Sequence, residues 1–471
     1  MKTLIKGGTL VTAEKTFPAD ILVEDDKISQ IGQNLLAGDA KIMDASGKLI
    51  LPGGVDPHVH LDLPMAGTVS SDDHYTGTKA AAMGGTTTVI DFVSFDFPTL
   101  GESVEVWKKN AEKAAVDYTA HMNLTRFDEK IAAELPCLPG MGITSAKTFT
   151  AYNNRLRIPD GDIFKALRIA RDHGMLILLH AENGDVIETL IAEAVAAHHL
   201  TPEWHAKTRP AWGAVETTLR ASSLAAQADA PLYIVHMNAA GEVDMLKYAR
   251  EHGVKVMGET CPQYLFFTEG DLRRPDGAKW VCSPPMRSKA DNARLWEGLA
   301  DGTLQTIGTD HCPFFFDGTQ PIMYEGQSVA IPGKELGRDD FTKIPNGLPG
   351  IGDRLAVLWT TAVGSGKLTA NQFVALTSTN PAKIFGLYPR KGALLPDSDA
   401  DLVIWDPQKK VKYGVAHSAQ RTDYNLYEGW DLTGYPEKVF LRGHLIMDGE
   451  QWLGWRGMGQ FLACQAGASV L

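Results

Sequence analysis

Cysteine is scarce in this chain and forms no pattern. Cys137, Cys261, Cys282, Cys312 and Cys464 are odd in number and include no C-x-x-C pair. That excludes a disulfide framework and points to a reducing compartment, so a cytoplasmic location is expected, with mostly core or pocket thiols. Long apolar runs are missing too: none approaches the roughly 20 residues of a membrane span. The start, Met1 to Gly8, turns polar too early for a signal peptide. There is no basic block, and the net charge is −12, which argues against nucleic acid or an anionic membrane surface as a partner. Internal repeats and low-complexity tracts are absent. No Gly-x-Gly-x-x-Gly follows a strand-like run, which removes the main support for a doubly wound open sheet.

What remains is an ordinary soluble composition, 44% apolar and 22% charged, over a length that holds two domains or one large barrel with an attachment. Residues 1–50 alternate apolar and polar at period two, as in Asp20-Ile21-Leu22-Val23-Glu24, and predict short antiparallel strands. From 51 to 390, eight strand-like runs alternate with helical stretches. They are Lys48–Val55, Thr86–Phe92, Tyr118–Leu124, Thr144–Phe149, Met175–His180, Leu232–His236, Val254–Glu259 and Leu304–Thr309. That alternation predicts an α/β fold, a (β/α)8 TIM barrel. Residues 391–471 return to short strands, among them Leu402-Val403-Ile404 and a meander through Leu445-Ile446-Met447. The two chain ends are expected to pair into one small, discontinuous β-sandwich domain. The tail from Gln451 to Leu471 carries Trp452, Trp455 and Phe461, which suggests docking on the body or on another subunit.

The functional signal begins at Gly54-Val55-Asp56-Pro57-His58-Val59-His60. In extended backbone His58 and His60 share a face and can hold one metal ion. In a barrel, functional groups sit where strands end. Leu176–Leu179 stops at His180, Leu232–Val235 at His236, and Gln305–Thr309 at Asp310. Four imidazoles and a carboxylate without thiolate suit zinc, or manganese, nickel or cobalt in its place. Lys147 ends the fourth run. Beside metal ions its amine is pushed towards neutrality, and a neutral amine can take up CO2 to become a bridging carbamate. The competing reading of Lys147 is an anion-binding cation or a surface residue.

These segments also carry a resemblance. Gly53 to His60, Lys147-Thr148-Phe149 with Ala151-Tyr152, His180-Ala181-Glu182-Asn183-Gly184-Asp185 and Gly258 to Leu265 are similar to the dihydropyrimidinase/hydantoinase family of cyclic amidohydrolases. So are Ser283-Pro284-Pro285-Met286-Arg287, Gly308 to Phe314 and Ile344-Pro345-Asn346-Gly347. The resemblance implies a barrel plus β-sandwich, two metal ions and a carboxylated Lys147, with His58, His60, His180, His236 and Asp310 as the other ligands. It implies a small cyclic amide or imide as substrate, a dihydropyrimidine or hydantoin, and a homotetramer. A hydroxide held by the metals would attack the ring, and Asp310 would carry its proton to the leaving nitrogen. Tyr152 would steady the oxyanion, and Ser283 and Asn346 would hold the ring amide. Met65, Phe95 and Leu156, on loops after early strands, are candidates for the exocyclic pocket. Glu182 and Glu259 are candidates to orient ligand histidines, while His121 and His311 stay unassigned. Gly352 stands where the family pattern leads one to expect an acidic residue. Two other readings stay open: allantoinase chemistry, and a non-catalytic scaffold of the kind found among relatives that have lost their ligands.

Overall fold

The computed structural model describes residues 2–65, 67–317, 321–324 and 327–467. Its centre is a parallel barrel of eight strands: Gly54–Asp56, Thr86–Val93, Asp117–Asn123, Ser145–Phe149, Leu176–His180, Leu232–Ile234, Val256–Thr260 and Thr306–Ile307. The first and last are joined beyond their regular ends. The Asp310 N–H donates to the His58 carbonyl (2.9 Å) and the His60 N–H to the His311 carbonyl (2.7 Å). Two proposed ligand segments thus close the barrel with their own backbones.

Alternation sorts the strand residues by face. Leu176 and Leu178 join the interior cluster with Ile90, Phe92, Tyr233 and Met257. Ile177 and Leu179 join the outer cluster against the helices. Both faces are buried, as a parallel sheet under a helical ring requires. The helical ring includes Asp160–Asp172 and Ala211–Ala228.

The two chain ends build one mixed sheet of nine strands, joined where Leu49–Pro52 pairs antiparallel with Leu402–Lys412. Two expectations are corrected. The run Lys48–Val55 is two strands: Leu49–Pro52 belongs to the mixed sheet and Gly54–Asp56 to the barrel. Gly53 makes the crossing, because a Cβ there would lie 2.0 Å from Thr87 Oγ1. The N-terminal strands are also not all antiparallel, since Lys2–Val11 pairs parallel with Lys41–Asp44 and Leu49–Pro52.

The tail docks on the body under the barrel. Leu462 is fully buried in the interior cluster, its N–H donates to the Tyr118 carbonyl, and Phe461 packs near Trp107 and Tyr118. Trp455 stays 55% exposed. Residues 468–471 of that tail lie outside the described residues.

Candidate metal centre

Six side chains from five strand ends meet at the barrel mouth. His58, His60 and Asp310 bring one donor atom each to within 4.8 Å of one another. His58 Nε2 and His60 Nε2 each lie 3.2 Å from Asp310 Oδ1. Lys147, on the inward face of the fourth strand, is buried, with Nζ 3.1 Å from His58 Nε2 and over the Phe92 ring. His180 Nδ1 and His236 Nε2 are 2.9 Å apart. Alternation would send His236 outward, since Tyr233 and Val235 face the interior. Its φ of 40° breaks that alternation, and Asp310 has a φ of 53°. Left-handed backbone at two non-glycine residues is strain of the kind functional sites hold. Gly308 is required by closeness: a Cβ would lie 2.7 Å from Glu259 Oε2 and 2.9 Å from His58 Cβ.

The outer nitrogens are held by carboxylates. His58 Nδ1 lies 2.7 Å from Glu259, which also accepts from the His236 N–H (3.1 Å) and the Tyr233 hydroxyl (3.0 Å). His180 Nε2 lies 2.9 Å from Glu182. Such partners fix the tautomer and aim the other nitrogen inward. Burial, helped by Lys147, keeps His58 well below the usual imidazole range, and burial with His180 does the same for His236. Burial also lowers Lys147 to about 8 and raises Glu259 to about 8. Burial would raise Asp310 as well, but His58 and His60 bring it down to about 2. Donors around a tetrahedral zinc ion at its usual bond lengths sit roughly 3.3 Å apart. The observed separations, the lowered imidazoles of His58 and His236 and the aimed nitrogens therefore fit a metal ion.

Two further histidines near the barrel have no nitrogen to spare. His121 is engaged by Ser145 Oγ (2.6 Å) and the Pro57 carbonyl (3.0 Å). His311 Nε2 faces Asp72 (3.2 Å), and its Nδ1 accepts from the Gly350 N–H (3.1 Å). Both are structural.

Above the centre lies a cavity of about 670 Å³. His60, Lys147, His180, His236 and Asp310 line its floor, while His58 is sealed beneath. Tyr152, Ser283, Asn346, Met65, Phe95 and Leu156 line its walls. Tyr152 has a φ of 66°, and its ring centroid is 5.1 Å from that of His180. Burial pushes its hydroxyl above the usual phenol range, so it remains a proton donor. Asn346 Nδ2 donates to Ser283 Oγ at 3.1 Å.

Arg126, which no sequence motif marks, also lines the cavity; its guanidinium lies 3.9 Å from the Phe95 ring centroid and donates to the Phe97 carbonyl. It follows the third strand, so reading that strand's end like the others finds it. The Gly352 position touches no chemistry: a Cβ there would meet the Ala80 carbonyl at 3.2 Å.

A family model described as the amidohydrolase family matches residues 49–446. The chain is 43% identical over 467 residues to the D-hydantoinase of Geobacillus stearothermophilus, covering 98% of this chain and 96% of that one. It is 40% identical over 469 residues to the D-hydantoinase of Streptomyces coelicolor, covering 98% and 97%. The crystal structure of the dihydropyrimidinase from Brevibacillus agri superposes with a TM-score of 0.95 at 43% identity, covering 100% of both chains.

Proposed function

The chain belongs to the amidohydrolase family, in its hydantoinase and dihydropyrimidinase branch, and from that membership we propose the substrates and the role of each residue. The enzyme opens cyclic amides by hydrolysis. We assign it 5,6-dihydropyrimidines and 5-substituted hydantoins, converted to N-carbamoyl amino acids. The observation that carries the assignment is the meeting of six donor side chains at one cavity, five on its floor and His58 directly beneath. The D hand is favoured for substituted hydantoins because both curated relatives above are D-hydantoinases.

His58, His60 and Asp310 would hold one ion, and His180 and His236 a second. A carbamate on Lys147 would supply oxygens to both; the buried, easily neutralised amine supports it. Zinc suits the donor set, with manganese, nickel or cobalt as substitutes. Bound there, the cations would supply a hydroxide near neutral pH and a polarised carbonyl. Asp310 Oδ1 faces His58 and His60, which would leave Oδ2 to accept the proton of the attacking hydroxide and return it to the leaving ring nitrogen. The Tyr152 hydroxyl would donate to the developing oxyanion. Ser283 and Asn346 would hold the ring amide through backbone groups, and Met65, Phe95 and Leu156 would receive the exocyclic substituent.

We further propose that the chain divides at about residues 50 and 390, which the strand change at Gly53 supports. A cytoplasmic homotetramer is the expected form. Five free cysteines fit a reducing compartment, and no described helix is long and apolar enough to cross a membrane.

The test is turnover by metal-replete protein of dihydrouracil, 5-substituted hydantoins of both hands, and allantoin. Hydrolysis of the first two classes, with allantoin slow, is expected. Allantoin as the best substrate would replace this reading. Lys147→Ala is expected to lose activity together with the second metal ion, and short carboxylic acids should restore part of the rate. Full activity in that variant would remove the bridging role.

A further inference from the structure

Behind the wall of the cavity lies a lysine that the reaction does not use. Lys334 is 1% exposed. Its Nζ donates to the Val281 carbonyl (2.8 Å) and the Pro345 carbonyl (3.2 Å). Those carbonyls stand just ahead of Ser283 in one wall segment and Asn346 in the other. The Gly347 N–H also reaches the Val281 carbonyl (3.2 Å), and Asn346 reaches Ser283, so the two segments already lie side by side at the height of Lys334.

The root of this side chain is fixed. The Lys334 N–H donates to the Phe315 carbonyl at 2.7 Å. A Cβ at Gly333 would lie 2.1 Å from Phe315 O, and one at Gly337 2.1 Å from Ile344 Cγ1. The short turn Lys334–Gly337 is therefore pressed against both neighbours, and the ammonium has little freedom in where it sits.

The surroundings give the charge no counter-ion. Cys282, Cys312 and His205 face Lys334. Burial raises both thiols and lowers the imidazole, so all three are neutral near pH 7. Among the described residues no carboxylate pairs with it. Burial lowers Lys334 to about 7. A lysine buried without a partner is rare, and a core whose only need was filling would take an apolar side chain here. What the lysine does supply is a donor aimed at two carbonyls of different segments.

We propose that Lys334 is a positioning residue for the substrate ring: its Nζ clasps the Val281 and Pro345 carbonyls and so sets the spacing of Ser283 and Asn346. This rests on the reading that those two residues hold the ring amide.

The test compares hydantoin with hydantoin methylated on its imide nitrogen, in wild type and in Lys334→Met. Wild type should strongly prefer the unmethylated ring. In Lys334→Met the KM for hydantoin should rise about tenfold with kcat within about twofold, metal content should equal wild type, and the preference for the unmethylated ring should shrink. Should that variant fail to fold, Lys334→Gln, which keeps an N–H donor, should show the same changes in smaller measure. A folded variant with wild-type KM and undiminished preference overturns the clasp while leaving the ring reading intact. A wild type indifferent to methylation overturns the ring reading, and the clasp with it.

Discussion

At the scale of single residues, the chemistry depends on which histidine nitrogens are free. His180 and His121 both lie on barrel strands, but only His180 leaves a nitrogen facing the cavity. His121 spends both on Ser145 and Pro57. His121→Gln should therefore retain the metal content of wild type and lose about 1–3 kcal/mol of stability. His180→Gln should lose both metal and activity. Metal analysis beside denaturant unfolding separates the two. Tyr152→Phe should reduce kcat by about a hundredfold with metal content intact, the loss expected for one oxyanion donor. The proposed ligand positions could be picked out in the sequence because strand ends in a barrel face one rim: His180 and His236 follow apolar runs, and His58, His60 and Asp310 follow strand-like segments. The structural histidines were not legible, since a nitrogen's partners are remote in sequence. Lys334 was hidden for the same reason: its neighbours are 53 and 11 residues away.

At the scale of elements, the segment after His60 is anchored by a buried imidazole. His74 Nδ1 lies 2.9 Å from Asp62 and Nε2 2.9 Å from Asp91, and Trp107 also donates to Asp91. Burial opposes the charge, but the two carboxylates prevail and raise His74 to about 9. A group with a raised folded-state value adds stability that is complete below its unfolded value and disappears as pH rises through the folded one. Here the stabilisation is of order 3 kcal/mol below about pH 6.5 and is lost by about pH 9. The unfolding midpoint of wild type should fall across that window. His74→Gln should unfold earlier and give a flat profile there; a wild-type profile equally flat would contradict the assignment. Strand boundaries were less legible than strand existence. Lys48–Val55 reads as one apolar run, and the change of sheet at Gly53 follows from contact with Thr87, which no local pattern records.

At the scale of the whole molecule, barrel, mixed sheet and tail are held together by buried charges beneath the barrel. Lys391 Nζ lies 2.6 Å from Asp117, 2.9 Å from Asp399 and 2.8 Å from Asp401. Asp117 also accepts from Arg442 and from the Gln460 N–H of the tail. Lys391→Met would leave buried Asp401 without its cation, while Asp117 keeps Arg442 and Asp399 keeps Lys27 and Arg390, and should cost about 3–5 kcal/mol in denaturant unfolding. That both chain ends supply strands to one sheet was legible from the short strand-like runs in each. The parallel pairing of Lys2–Val11 with Lys41–Asp44 was not, because register between distant strands leaves no trace in either one.

The proposed chemistry needs a two-ion centre at the barrel mouth that would make water attack a cyclic amide. The most direct measurement is titration of metal-stripped protein with zinc in bicarbonate buffer, following bound metal and hydantoin hydrolysis together. Hydrolysis should be absent in the stripped protein and should reach its maximum at about two ions per chain. Full turnover without metal, or a maximum at one ion that a second does not change, would contradict it.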